Sequence, residues 1–124
     1  MKSDAFRKAA ESKDFSAADD LFSAEPVFRS PAVHQPYEGR DAMRAVLGAV
    51  VQVFEDFRYT GQVEDGDTAV LIFEARVGDK QVGGVDILTF DGDGKISELM
   101  VMIRPLRGLE ALVAQMAEKL GVTT

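Results

Sequence analysis

Gln81 to Arg104 reads QVGGVDILTFDGDGKISELMVMIR, and its two halves are strand-like on either side of Asp91-Gly92-Asp93-Gly94. Asp-Gly repeats of this kind favour a tight turn, because the Asx side chain bonds its own backbone and glycine accepts positive φ. Alternation along the first half groups Asp86 with Leu88 and Phe90, and along the second it groups Leu99, Val101 and Ile103 against Met100, Met102 and Arg104. Asp86 stands amid the apolar positions of its strand. An ionisable residue there must be paired, neutralised or facing a cavity.

Working outward, Phe57 to Glu64 and Thr68 to Val77 are also strand-like, with a hairpin signal at Asp65-Gly66. In the second, Ala69, Leu71, Phe73, Ala75 and Val77 form a wholly apolar face, while Val70, Ile72, Glu74 and Arg76 form a mixed one. With a turn at Gly78-Asp79-Lys80, four successive antiparallel strands result. Pro105 ends the last strand, and Leu106, Leu109, Leu112, Val113, Met116 and Leu120 mark a helix closed by Gly121. Upstream, Met43, Val46, Leu47, Val50 and Phe54 form one stripe of a helix over Arg40 to Phe54.

The amino-terminal third is predicted as a helical hairpin. Ser3 caps a helix to Lys13, and Asp14 opens a second carrying Ala17, Ala18, Leu21 and Phe22 until Ser23-Ala24-Glu25-Pro26 breaks it. Val27 to Ser30 reads as a short strand, followed by an irregular loop from Pro31 to Gly39 that holds His34 and Tyr37. The class is α+β: a curved antiparallel sheet wrapped around the long helix, forming a cone able to hold a ligand.

At 124 residues, one domain spanning the chain is expected. A net charge of −7 without a Lys/Arg stripe argues against nucleic acid. No apolar run approaches the ~20 residues that span a bilayer, and no leader-like stretch occupies Met1 to Ala10, so a cytoplasmic protein without a membrane partner is expected. The absence of cysteine excludes disulfides, thiolate nucleophiles and cysteine metal sites. Asp91-x-Asp93 lacks the later glycine and glutamate of a calcium loop, so neither a metal nor another cofactor is expected.

Three stretches in order, KDFSAADDLFSAEPVFRSP, YEGRDAM and VDILTFDGDGKISELMVMIRPL, resemble the NTF2-like superfamily, and within it the SnoaL-like proteins and ketosteroid isomerases. The resemblance implies the cone fold, and assigns Leu99, Val101 and Ile103 to the cavity side. It matches Asp86 to the acid that stays protonated in an apolar isomerase site and donates to a dienolate oxygen. Ser30 stands at the position of the general-base aspartate and Phe6 at that of the catalytic tyrosine. Two of three roles are therefore empty, which argues against steroid isomerisation by that mechanism.

Asp86 is read either as a pocket acid or as a structural carboxylate satisfied by Arg76, Arg104 or a neighbouring amide. His34, the only histidine, is a candidate proton shuttle or a solvated loop residue. Ser30 and Tyr37 are candidate rim groups, and Ser30 lacks the strand-turn-helix setting of an activated nucleophile. The candidate ligand-binding set adds Phe6, Phe28 and Phe54 to these, with Leu71, Phe73 and Leu88 from the sheet beside Leu99, Val101 and Ile103. Met100, Met102 and Arg104 suit a homodimer interface on the outer face, unless the last helix covers them. Three functions follow: acid/base chemistry on a small apolar carbonyl, enol or epoxide, non-catalytic binding of a hydrophobic ligand, or a structural dimer with a filled core.

Overall fold

The four strands around Asp86 form the body of the sheet in the computed structural model, which describes residues 1–16 and 18–121. The elements are α1 (Asp4–Glu11), α2 (Ala18–Leu21), β1 (Phe22–Arg29), β2 (Tyr37–Glu38), α3 (Arg40–Val53), β3 (Glu55–Asp65), β4 (Thr68–Val77), β5 (Lys80–Phe90), β6 (Ile96–Arg104) and α4 (Leu106–Leu120). One six-stranded sheet has the order β2-β1-β6-β5-β4-β3. Strands β3 to β6 pair antiparallel as the alternation predicts, with Asp86 opposite Leu71 on one side and Val101 on the other. The turn before β6 is held by Asp91 Oδ1, which accepts from the amides of Asp93 (2.9 Å) and Lys95 (3.0 Å).

Three expectations for the amino-terminal third require correction. The second helix is only the four residues of α2, and Phe22 with Ser23-Ala24-Glu25-Pro26 belongs to β1. A proline breaks a helix but is tolerated where strand pairing is irregular. Here the β1–β6 register shifts between Phe22 and Val27, and Pro26 lies in that interval. Second, β1 runs parallel to β6, so the sheet is mixed and not wholly antiparallel. Third, Ser3 makes no side-chain cap to α1. Its buried hydroxyl instead donates to Glu64 Oε2 (2.6 Å) and accepts from Gln62 Nε2 (2.7 Å), tying α1 to β3. Of the face expected on the second helix, Ala17 and the Ala18 side chain lie outside the described residues.

Of the predicted stripe on the long helix α3, Met43, Val46 and Leu47 are buried, Val50 is half-buried, and Phe54 is buried at the C-cap just past the helix; Ala49 and Val53 are buried as well. Each such side chain contributes about 1.5–3 kcal/mol when fully removed from water. Gly39 adopts φ 99° at its start, and Arg40 donates from Nε to Ser23 O and from Nη2 to Phe22 O, both at 2.9 Å. These bonds fix the helix across the sheet. The last helix α4 packs against α3, β5 and β6. Its Leu109, Leu112 and Met116 line the same cavity as Asp86, so it lies on that side of the sheet, and among the described residues Val63, Ile72 and Met102 of the opposite face are left exposed. Among the described residues, no helix is long and apolar enough to cross a membrane.

Candidate active site

Between α3, α4 and the sheet lies a cavity of about 560 Å³, within the range of small-molecule sites. Its walls are almost entirely apolar: Val46, Leu47, Val50 and Val51 of α3, Leu109, Leu112, Val113 and Met116 of α4, and Leu99, Val101 and Ile103 of β6. Phe6 and Phe15 close one flank, their ring centroids 5.5 Å apart.

Two polar side chains meet in this wall. The Tyr59 hydroxyl donates to Asp86 Oδ2 at 2.6 Å, and both residues are buried. Burial is the dominant influence on Asp86, pushing its carboxyl from the ordinary 3.8 up to about 7, while the hydrogen bond from Tyr59 opposes this by favouring the carboxylate. Tyr59 is driven far above its ordinary value, first by burial and then by the negative charge of Asp86. The Arg7 guanidinium lies 5.7 Å from the centre of the Tyr59 ring and pulls in the other direction. Among the described residues Asp86 Oδ1 has no hydrogen-bond partner, yet no partnerless side-chain oxygen is sealed from the surface. With Asp86 in the cavity lining, Oδ1 is thus the atom that can meet a bound molecule.

The alternative reading, a structural carboxylate satisfied by Arg76, Arg104 or a neighbouring amide, does not hold among the described residues, where the hydrogen-bond partner of Asp86 is Tyr59. Arg76 is taken up by Glu55 (3.1 Å) and Asp56 (3.2 Å), and Arg104 is an exposed residue on the opposite face of its strand. Of the candidate residues, the cavity brings together Asp86, Phe6, Phe28, Ser30, Tyr37, Phe54, Leu99, Val101 and Ile103. It leaves out Leu71, Phe73 and Leu88, each fully buried in the packed core. Phe57 stacks on Phe73 (5.1 Å) and takes its place in the lining. His34 is exposed and also lies outside the lining, because the loop turns Ala32 and Val33 toward the cavity instead. Ser30 Oγ accepts from the Ala32 amide at 3.0 Å, which holds that loop.

Sequence reasoning missed Tyr59. The signal was present, since alternation along β3 places Phe57 and Tyr59 on one side and the chain has only two tyrosines. It also missed Lys13 and Phe15, which reach the cavity from the connection after α1. Among the described residues, no three histidine or acidic side chains converge as a metal site would require.

An apolar cone over a mixed sheet, with a strand-borne acid in its wall, defines an NTF2-like protein with the cystatin-like fold. The chain belongs to the SnoaL-like domain family, whose model matches residues 4–99. It is similar to a steroid delta-isomerase from Pseudomonas aeruginosa at 38% identity, over 97% of this chain and 89% of that one, with a TM-score of 0.93. A bacterial protein with a cystatin-like fold from Silicibacter pomeroyi shares 32% identity over 91% of this chain and 80% of that one, TM-score 0.87. An NTF2-like protein from Mesorhizobium loti shares the fold at 21% identity, over 84% and 88% of the two chains, TM-score 0.75. No curated relative matches the chain.

Proposed function

We propose that this protein is an enzyme performing acid/base chemistry on a small, largely apolar carbonyl or enol compound, with Asp86 as its central group. The observation that carries this reading is the Tyr59–Asp86 pair at 2.6 Å in the wall of an apolar cavity. A carboxyl with its pKa near 7 exchanges a proton at neutral pH at little cost in either direction. When neutral, Asp86 donates from Oδ1 to a substrate oxygen, while Tyr59 keeps donating to Oδ2 and so fixes the acid's orientation. When ionised, the same Oδ1 takes the proton of a C–H bond beside the carbonyl, leaving an enolate, and the carboxyl so formed returns that proton to another carbon of the enolate, so that Asp86 ends as it began.

The likeness to a steroid delta-isomerase supports carbonyl chemistry, but Ser30 and Phe6 leave the inherited base and tyrosine positions without acid/base groups. Tyr59 supplies a phenol from β3, whereas Phe6 lies on helix α1. The test uses a β,γ-unsaturated ketone and follows the absorption of its conjugated isomer. Turnover that falls about 10²- to 10³-fold in Asp86→Asn supports the reading, on the scale of losing one oxyanion donor. Conversion unchanged by Asp86→Asn would sink it.

Among the described residues the cavity lining holds neither a second carboxylate nor an imidazole, which favours a second reading, non-catalytic retention of a hydrophobic ligand. Native mass spectrometry that finds a co-purified compound which is never converted decides for this alternative. In either case the uncovered sheet face, with Val63 (60%), Ile72 (44%) and Met102 (53%) exposed, is proposed to bury itself against a second copy. Its Arg58–Glu74 and Arg29–Glu98 pairs offer both charges to an identical face.

A further inference from the structure

Helix α1 ends in a six-to-one turn: the Lys13 amide donates to Ala10 O (3.1 Å) and the Asp14 amide to Ala9 O (2.9 Å). This ending places Lys13 at the position where glycine is usual, and Lys13 adopts φ 57°, in the left-handed region that is costly for a side chain with a Cβ. The lysine side chain is nevertheless directed to one place. Its Nζ donates to Phe54 O at 2.9 Å, at the carboxyl end of α3, and the residue lines the cavity at an exposed edge. Two of its three ammonium hydrogens have no partner among the described residues, and no carboxylate lies within ion-pair distance. It is the only cationic side chain among the described residues of the lining.

Aromatic rings line the wall between this ammonium and the acid. Phe57 lies 5.5 Å from Phe54 and 4.9 Å from Tyr59, ring centre to ring centre, so an aromatic strip joins the residue whose carbonyl anchors Lys13 to the residue that donates to Asp86, in a cavity of about 560 Å³ that admits a flat ring. We propose that Lys13 is an anion-binding pole of the cavity, and that the ligand is an apolar, ring-sized carboxylic acid whose carbonyl or hydroxyl end meets Asp86. This rests on the reading of Asp86 as the central group. Lys13 would select the acid form of a substrate from its neutral analogues, because an ammonium anchored by Phe54 O offers a charge-assisted hydrogen bond in a fixed place.

The test compares 6-hydroxy-2-naphthoic acid with 2-naphthol by isothermal titration calorimetry. The intact protein is expected to bind the acid about three- to tenfold more tightly, the scale for one partly exposed charge-assisted contact. Lys13→Gly, which suits the positive φ and so preserves the helix ending, should abolish that preference, and Lys13→Arg should keep it. Equal affinities in the intact protein, or a preference that survives Lys13→Gly, overturn the inference. Affinity for 2-naphthol that is unchanged by Asp86→Asn overturns the Asp86 reading instead, and failure of both probes to bind overturns both.

Discussion

Replacing Asp86 by asparagine should make the folded protein less sensitive to pH and more stable at neutrality. Asparagine keeps the shape of the side chain and an acceptor for the Tyr59 hydroxyl, but carries no titrating proton. The unfolded chain releases the Asp86 proton near 3.8, whereas burial makes the folded protein hold it to about 7. Between these values the native state binds one proton more than the unfolded state, so stability falls as pH rises, by about 1.4 kcal/mol per unit. The contribution of Asp86 is fully present below its unfolded pKa and is lost as pH rises through the folded one, a total of about 4 kcal/mol. That is a large part of the ~5–15 kcal/mol typical of a whole domain. Urea unfolding of both proteins from pH 4 to 8.5 measures it directly, because titrations far from the substitution cancel in the difference. The variant should gain stability relative to the parent steadily up to about pH 7, then level off. A difference that stays flat across this range would show that Asp86 ionises as an ordinary solvated acid, and the site would lose its central group.

Three further outcomes follow from the same geometry. Tyr59→Phe removes the hydrogen bond that favours the carboxylate, so the levelling point should move to higher pH, with a stability cost of about 1–3 kcal/mol for the acceptor left unpaired; NMR titration of a 13C-labelled Asp86 carboxyl reads the shift. Gly84→Ala should cost about 3 kcal/mol and lower Tm by about 10 °C in a calorimetric scan. The new Cβ would meet the Met102 carbonyl oxygen and stand 2.7 Å from Phe73 Cζ, and a strand carbonyl cannot step aside. Met102→Glu, placed on the uncovered sheet face, should convert a dimer to monomers in sedimentation velocity without altering ligand binding in the cavity; a sedimentation profile unchanged from that of the parent would refute the proposed contact.

The four-strand meander was legible because side chains on a strand alternate with period two, and one face of each strand here is apolar without exception in β4. Long-range pairing was not. Nothing local in Phe22 to Arg29 says that it joins β6 in parallel, and its proline read as a helix stop because local propensity cannot register a bulge supplied by a distant partner. Ser3 failed for a related reason. A serine before a helix is a cap by propensity, but here Gln62 Nε2 on β3 donates to its oxygen in place of a helix amide, and Glu64 accepts its proton.

The same division between local and distant information governs the site. Asp86 was visible as a charge out of place on its own strand, whereas its partner came from β3, 27 residues away in the chain. Phe6, matched by resemblance to a catalytic tyrosine, suggested that the phenol had been lost. In space a phenol is nevertheless beside the acid, because Tyr59 reaches it from the far edge of the sheet and touches it directly. A carboxyl buried with no donor would sit higher still in pKa, and one paired with arginine would stay ionised. A tyrosine partner holds it between these limits, near the pH at which a single group can both give and accept a proton. The phenol beside the strand-borne acid thus comes from β3, whereas the residue matched to the tyrosine, Phe6, lies on helix α1.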